Sequence, residues 1–148
     1  MPTTPEVSVL PTPQDVLGYA EAARVAETEE LDTARSLSEA KIELQKAKEH
    51  LALVEATATL RLSNEGKLDG RNAELRACQL RVLLSQDADV APCIERVADL
   101  EWQVLVTEND LLQKRIHSRY QRAVYDVALA ALRSGNGSGG AGITIVSR

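Results

Sequence analysis

The sequence contains no Phe, one Trp and three Tyr in 148 residues. A β-sandwich or barrel fills its centre with aromatic and β-branched side chains, so this stock excludes an all-β fold. The two Cys, at 78 and 93, have no His beside them; they read as reduced, small apolar residues of a cytoplasmic protein, and no disulfide between them is required. His50 and His117 stand alone, without the carboxylate or imidazole spacing of a metal site. There is no nucleophile elbow, phosphate loop or dinucleotide fingerprint, and the Gly-rich tail opens no helix. The most apolar helical stretch, VYDVALAAL from Val124 to Leu132, is half the length of a membrane span and contains Asp126. The start, MPTTPEVSVLPTPQDV, lacks the basic opening and apolar run of a signal peptide. Positive charge is also scarce, at 17 basic against 22 acidic residues. That balance excludes a protein that coats nucleic acid with its whole surface, while leaving room for a local basic face. The expectation is a non-enzymatic chain with no cofactor, no metal and no membrane anchor.

Helix formers fill the space these absences leave. Ala and Leu supply 20 residues each, and Glu, Arg and Lys another 14, 12 and 5, the composition of long helices or coiled coils. Pro2, Pro5 and Pro11 make residues 1–12 an extended, flexible arm. Thr12, Pro13 and Asp15 then form a helix start, with a capping hydroxyl, a ring suited to the first helical position and an acid at the positive dipole end. The first helix is expected over 13–62, where Ser63, Asn64, Glu65 and Gly66 provide a stop. Read in sevens, one column is Val16, Ala23, Glu30, Leu37, Leu44, Leu51 and Ala58, the other Tyr19, Ala26, Thr33, Ala40, Ala47, Val54 and Arg61. Eleven of these fourteen are apolar or Tyr; Glu30, Thr33 and Arg61 depart. That is a coiled-coil seam.

A short second helix is expected over 71–85, after the turn GKLDG. The interruption QDADVAP at 86–92, with Asp87 or Asp89 able to cap a new start, sets the third helix over 90–133. Its strongest apolar columns step by eleven: Ile94, Leu105, Ile116 and Val127, with Glu101, Leu112 and Ala123 beside them, which implies a straight or slightly right-handed stripe. Five Gly between 135 and 142 make residues 134–148 a flexible tether. Its last residues, Ile143 to Val146, alternate as one short strand would, a form in which the tail could dock on a protein partner.

Charge decides how the long helices align. Residues 1–60 carry 11 acids and 5 bases, and residues 111–134 carry 5 bases and 1 acid. An antiparallel hairpin around residue 75 places facing residue numbers at a total of about 150 and sets Glu27, Glu29, Glu30 and Asp32 beside Lys114, Arg115, Arg119 and Arg122; such exposed pairs select an alignment more than they stabilise it. The fold class is therefore all-α: a long antiparallel helical hairpin with a short third helix at its tip and flexible termini.

Two segments are candidates for interaction. In KRIHSRYQR, Lys114, Arg115, Arg119 and Arg122 surround Tyr120, a ring on which a base could stack; facing the acids of the first helix is the stronger reading. At the tip, Arg71, Asn72 and Arg76 form the second, with Asn72 suited to capping and Gly70 to a tight turn. Leu53, Leu60, Leu62 and Val104 flank the seam, and a second copy would cover them in a four-helix bundle, so a homo-oligomer is expected, a dimer first. Trp102 reads as a packing or dimer-contact residue.

The stretch ATATLRLSNEGKLDGRNAELRACQLRVLLSQ, residues 56–86 with Gly70, Asn72, Ala73, Glu74 and Arg76 at its centre, resembles small helical proteins encoded by phages and prophages. The resemblance implies a phage-like origin, a place in the host cytoplasm and an accessory role near recombination or replication genes, and it brings no catalytic residue.

Overall fold

A computed structural model describes residues 10–68 and 72–137. Three helices account for nearly all of them: α1 (Pro13–Asn64), α2 (Ala73–Gln86) and α3 (Val90–Gly137). No strand occurs among the described residues, and α1 and α3 pack closely as a helical hairpin. None of the three is long and apolar enough to cross a membrane. The expectations for residues 1–9, for Gly70 and Arg71, and for the strand at 143–146 fall outside the described residues.

Local chemistry sets the helix ends. Thr12 donates its backbone N–H (2.8 Å) and its hydroxyl (2.7 Å) to the Asp15 carboxylate, and the Asp15 N–H returns a bond to Thr12 Oγ1. This reciprocal cap satisfies donors that a helix start leaves orphaned. Its backbone bond first, then its side-chain bond, holds the Asp15 carboxyl below its ordinary 3.8. At the other end of α1, Gly66 takes φ +68°. There Lys67 N–H reaches the Leu62 carbonyl and Gly66 N–H the Ser63 carbonyl, both at 3.1 Å, a Schellman stop that needs a residue free to enter the left-handed region. Asn72 caps α2 by accepting from Leu75 N–H at 2.7 Å.

The carboxyl end of α3 differs from expectation. The helix does not stop at Arg133 but continues through Gly135 to Gly137. Adding residues to an existing helix needs no new nucleus, and each Gly costs only about 1 kcal/mol relative to Ala. Gly135 also faces the Leu10 side chain, whose Cδ1 lies 3.6 Å from the place a Cβ would take.

The chain divides into two compact units. One contains the part of α1 up to Asp32 and the part of α3 from Leu111; the other is Thr33–Asp110. In the first unit Val16, Ala23 and Ala26 of α1 are buried with Leu111, Ser118 and Ala128 of α3. In the second, Leu37, Ala40, Ala58 and Leu62 are buried with Val90, Leu100 and Val104. Leu62 and Val104 are thus seam residues and not the exposed flank expected of them; Leu53 and Leu60 are exposed. On α1 the sevens hold, since only Tyr19 and Arg61 of the fourteen column positions are exposed and Thr33 is buried.

On α3 the seam is not the eleven-residue column. Buried and half-buried positions follow sevens: Val90, Val97, Val104, Leu111, Ser118, Tyr125 and Leu132 in one row, and Cys93, Leu100, Thr107, Lys114, Gln121 and Ala128 in the other. Ile94, Leu105, Ile116 and Val127 are exposed. The expected column exists, but it lies on the other side of the helix.

Ion pairs fix the register. Lys41 meets Glu108 at 2.7 Å and Lys48 meets Glu101 at 2.7 Å in the second unit, and Arg122 meets Glu27 at 3.4 Å in the first. Each pair of numbers totals 149, one short of the expected alignment. Ser118 reaches Glu30 at 2.5 Å and Arg115 reaches it at 3.3 Å. Arg119, expected beside these acids, is exposed, and among the described residues none forms an ion pair with it. At this level of α3, Val104 is the buried residue and Leu105 is exposed.

Candidate interaction surface

The seam explains why α3 carries a second apolar face. Sevens and elevens drift apart along one helix, so a chain that obeys both presents one row inward and leaves the other in water. Within the second unit that outer row contains Ile94, Trp102 and Leu105, with Trp102 67% exposed. Within the first it contains Leu112, Ile116, Tyr120 and Val127. On α1, Leu31, Ile42 and Leu53 repeat the eleven-residue step and are exposed as well. Scattered apolar residues at a surface need no explanation, whereas a contiguous row is a candidate interaction face.

The residues singled out from the sequence fall into three groups. Arg115 and Arg122 are engaged inside the first unit: Arg115 with Glu30, and Arg122 with Glu27, with Asp126 at 3.6 Å and with the Tyr125 ring at 5.7 Å from its centroid. Lys114 is half-buried and has a polar partner of its own. Asn72 is used as a cap, Arg76 is exposed on α2, and Arg71 lies outside the described residues. Of Lys114, Arg115, Arg119, Tyr120 and Arg122, only Arg119 and Tyr120 are exposed and take part in none of these contacts. Tyr120 belongs to the apolar row and joins Tyr19, Ala123, Val124 and Val127 around an open depression in the first unit.

The eleven-residue periodicity already marks the outer row in the sequence; what it does not say is that α1 covers the other column of α3. The sevens place Glu30 in the seam column of α1, but nothing in the pattern marks Ser118 as its partner, since a Ser reads as a surface residue.

At the corner leading into α3, Arg61 does the work that its place in the seam column hid. Its Nη1 donates to Asp89 Oδ2 at 3.1 Å and its Nη2 to Asp87 Oδ2. Asp87, whose side chain is 9% exposed, also accepts the Asp89 N–H at 3.0 Å. The Asp89 N–H first, and then the Arg61 guanidinium, hold the Asp87 carboxyl below its ordinary 3.8, against the opposing effect of its cover. A carboxyl depressed on folding contributes stability that is present above its unfolded value and lost as pH falls through its folded value. Asp87→Asn is therefore expected to lower the urea midpoint near neutrality, with the gap to wild type closing only below pH 3.8. A gap that closed at higher pH would place the clasp elsewhere.

Among the described residues no group of three His, Cys, Asp or Glu side chains is placed to hold a metal ion, and Cys78 and Cys93 are free thiols. No family model, curated protein or solved structure matches this chain.

Proposed function

We propose that the protein is a non-enzymatic helical interaction protein that self-associates, and that the outer row of α3 is the surface it uses. One observation carries this reading: in the second unit Trp102 and Leu105, and in the first Leu112, Ile116, Tyr120 and Val127, lie off the seam of α3 and are all at least half exposed. A second copy would remove that row from water, at about 25 cal/mol for each Å² of apolar surface covered. The ion pairs that engage Arg115 and Arg122 within the chain weigh against the other reading, an accessory factor that contacts DNA or a recombination protein through the basic segment and the tip. Salt-sensitive DNA binding lost on charge reversal at Arg119 would favour it. The phage or prophage origin and host-cytoplasmic place implied by the resemblance over 56–86 belong to the same proposal. Replication or recombination genes beside this one support an accessory role, and virion genes a structural one.

The chain has a single Trp, at 102, so its own fluorescence reports the event. Sedimentation equilibrium is expected to give a multiple of 16.1 kDa, with Trp102 emission moving to longer wavelength on dilution. Leu105→Ser with Ile116→Ser is expected to give the monomer with unchanged helicity. A wild-type chain that stays monomeric at tens of micromolar defeats the reading.

A further inference from the structure

The depression in the first unit begins beside the end of α3. Pro11 and Tyr19 line it from the α1 side, and Tyr120, Val127 and Ala131 from α3, around a volume of about 640 Å³. Leu10, next to Pro11, packs near Gly135, one turn before α3 ends at Gly137. The Ala131 end of the depression therefore lies close to where the chain leaves the helix. Tyr120 and Val127 are 63% and 69% exposed, so this is apolar surface that the described residues leave uncovered.

Past Gly137 the sequence reads SGGAG and then Ile143, Thr144, Ile145 and Val146. These four are all β-branched, a type that favours extended backbone, and in an extended segment Ile143 and Ile145 share one side. After Leu132 the chain has no other large apolar residue. The segment with apolar side chains to bury thus follows directly on the helix that has an apolar seat to offer.

Length matches the two. Gly139 and Gly140 give the backbone freedom that a reversal needs. With residues 138–140 spent on it, an extended chain returns along α3 at about 3.3 Å per residue, against 1.5 Å for the helix. Ile143 then comes back about 10 Å, level with Ala131, and Ile145 about 17 Å, level with Val127. Two residues of extended chain, about 6.6 Å, nearly equal four of helix, about 6 Å, so the Ile side chains keep step with the lining. The short Gly-rich link also decides whose segment it is. It holds the segment at an effective concentration on the order of millimolar, above that of any other chain's at micromolar protein.

We infer that residues 143–146 fold back along α3 and occupy this depression of their own chain, with Ile143 over Ala131 and Ile145 over Val127. The contact goes beyond the self-association proposed above and does not rest on it. A second copy that reaches for Tyr120 and Val127 has to displace the segment first.

The test uses the full-length chain with Leu105→Ser and Ile116→Ser, the pair expected to give the monomer, isotope-labelled at the Ile δ1 methyls. Ile42, Ile94, Ile143 and Ile145 remain, and single Ile→Val changes assign them. The expected spectrum shows the Ile143 and Ile145 methyls displaced upfield of their random-coil position by the tyrosine rings, with nuclear Overhauser contacts to Tyr19 or Tyr120. Tyr120→Ser and Val127→Asp, both at exposed positions, are expected to return the two signals to the random-coil position with helicity unchanged. Random-coil signals in the starting chain overturn the inference, and so do displaced signals that neither substitution moves. Contacts that cross from labelled to unlabelled chains in a mixed sample make a second copy's segment the occupant and overturn it as well. Self-association is judged separately, by the mass of the wild-type chain.

Discussion

Leu111→Ala is expected to destabilise the hairpin by about 2 kcal/mol or more, whereas Leu112→Ala, one residue further on, is expected to leave it within about 0.5 kcal/mol of wild type. The two residues share a side chain and a helical neighbourhood, so propensity cannot separate them. What separates them is the face. Leu111 is 5% exposed in the seam and Leu112 is 53% exposed on the outer row. Truncating Leu111 removes buried methyl groups and leaves a cavity that two helices only partly close; truncating Leu112 removes surface already in water. The low end of the usual range applies because a two-helix seam can relax more than a globular core. For a chain of this size, 2 kcal/mol lowers the melting temperature by roughly 4–8 °C. The measurement is thermal unfolding by circular dichroism at a dilution where wild type is monomeric. Equal losses from the two variants would mean that the seam has been drawn on the wrong side of α3. At higher concentration the ranking should invert for mass: Leu112→Ala weakens association and Leu111→Ala does not.

The same pair of residues shows what could be read from the sequence and what could not. On α1 the apolar residues obey sevens and nothing competes with them, so the columns from Val16 and Tyr19 predict the buried face, with Thr33 buried among them and Arg61 turned to the corner. On α3 the larger apolar residues obey elevens, while the sevens that meet α1 contain Cys93, Thr107, Lys114, Ser118 and Gln121. Hydrophobic periodicity identifies an apolar face but does not say what covers it. When one helix has two such faces, the richer one attracts the assignment even if its partner is absent. Charge was the better guide to alignment, since Glu27 and Arg122 meet at a total of 149, within one of the expected 150. It could not tell Arg115, which turns inward to Glu30, from Arg119, which does not, because four residues of helix carry the inward row past it. The candidate site suffered accordingly: the basic segment was legible as a cluster, but its separation into seam-facing Arg115 and Arg122 and outward Arg119 and Tyr120 depends on which row is the seam.

The polar layer in the first unit leads to the second large effect, which concerns register more than stability. Ser118 is 5% exposed, and it donates to Glu30 at 2.5 Å while Arg115 donates to the other carboxylate oxygen. This contact sits where the sevens of α1 and α3 cross, so a slip of one heptad would bring Glu30 opposite Leu111 or Tyr125 instead. Leaving the half-buried Glu30 carboxylate, 28% exposed, without its donors costs about 1–3 kcal/mol, which disfavours the slipped hairpin although its apolar layers would still match. Glu30→Ala alone is expected to destabilise by about 1–3 kcal/mol, because Ser118 keeps only its longer bond to the Arg115 carbonyl at 3.3 Å. Glu30→Leu combined with Ser118→Ala removes both partners at once and is expected to be neutral or stabilising by about 1–4 kcal/mol. Its penalty falls on uniqueness. In chains with Cys78→Ser and Cys93→Ser, the pair Ala26→Cys with Gln121→Cys reports the native register, and Ala26→Cys with Ala128→Cys reports a hairpin slipped by seven. Wild-type seams should close only the first disulfide, and the apolar double variant should close both. If the double variant melts higher and still closes only the first, register is held by the flanking ion pairs Glu27–Arg122 and their like, and the polar layer is a contact without that role.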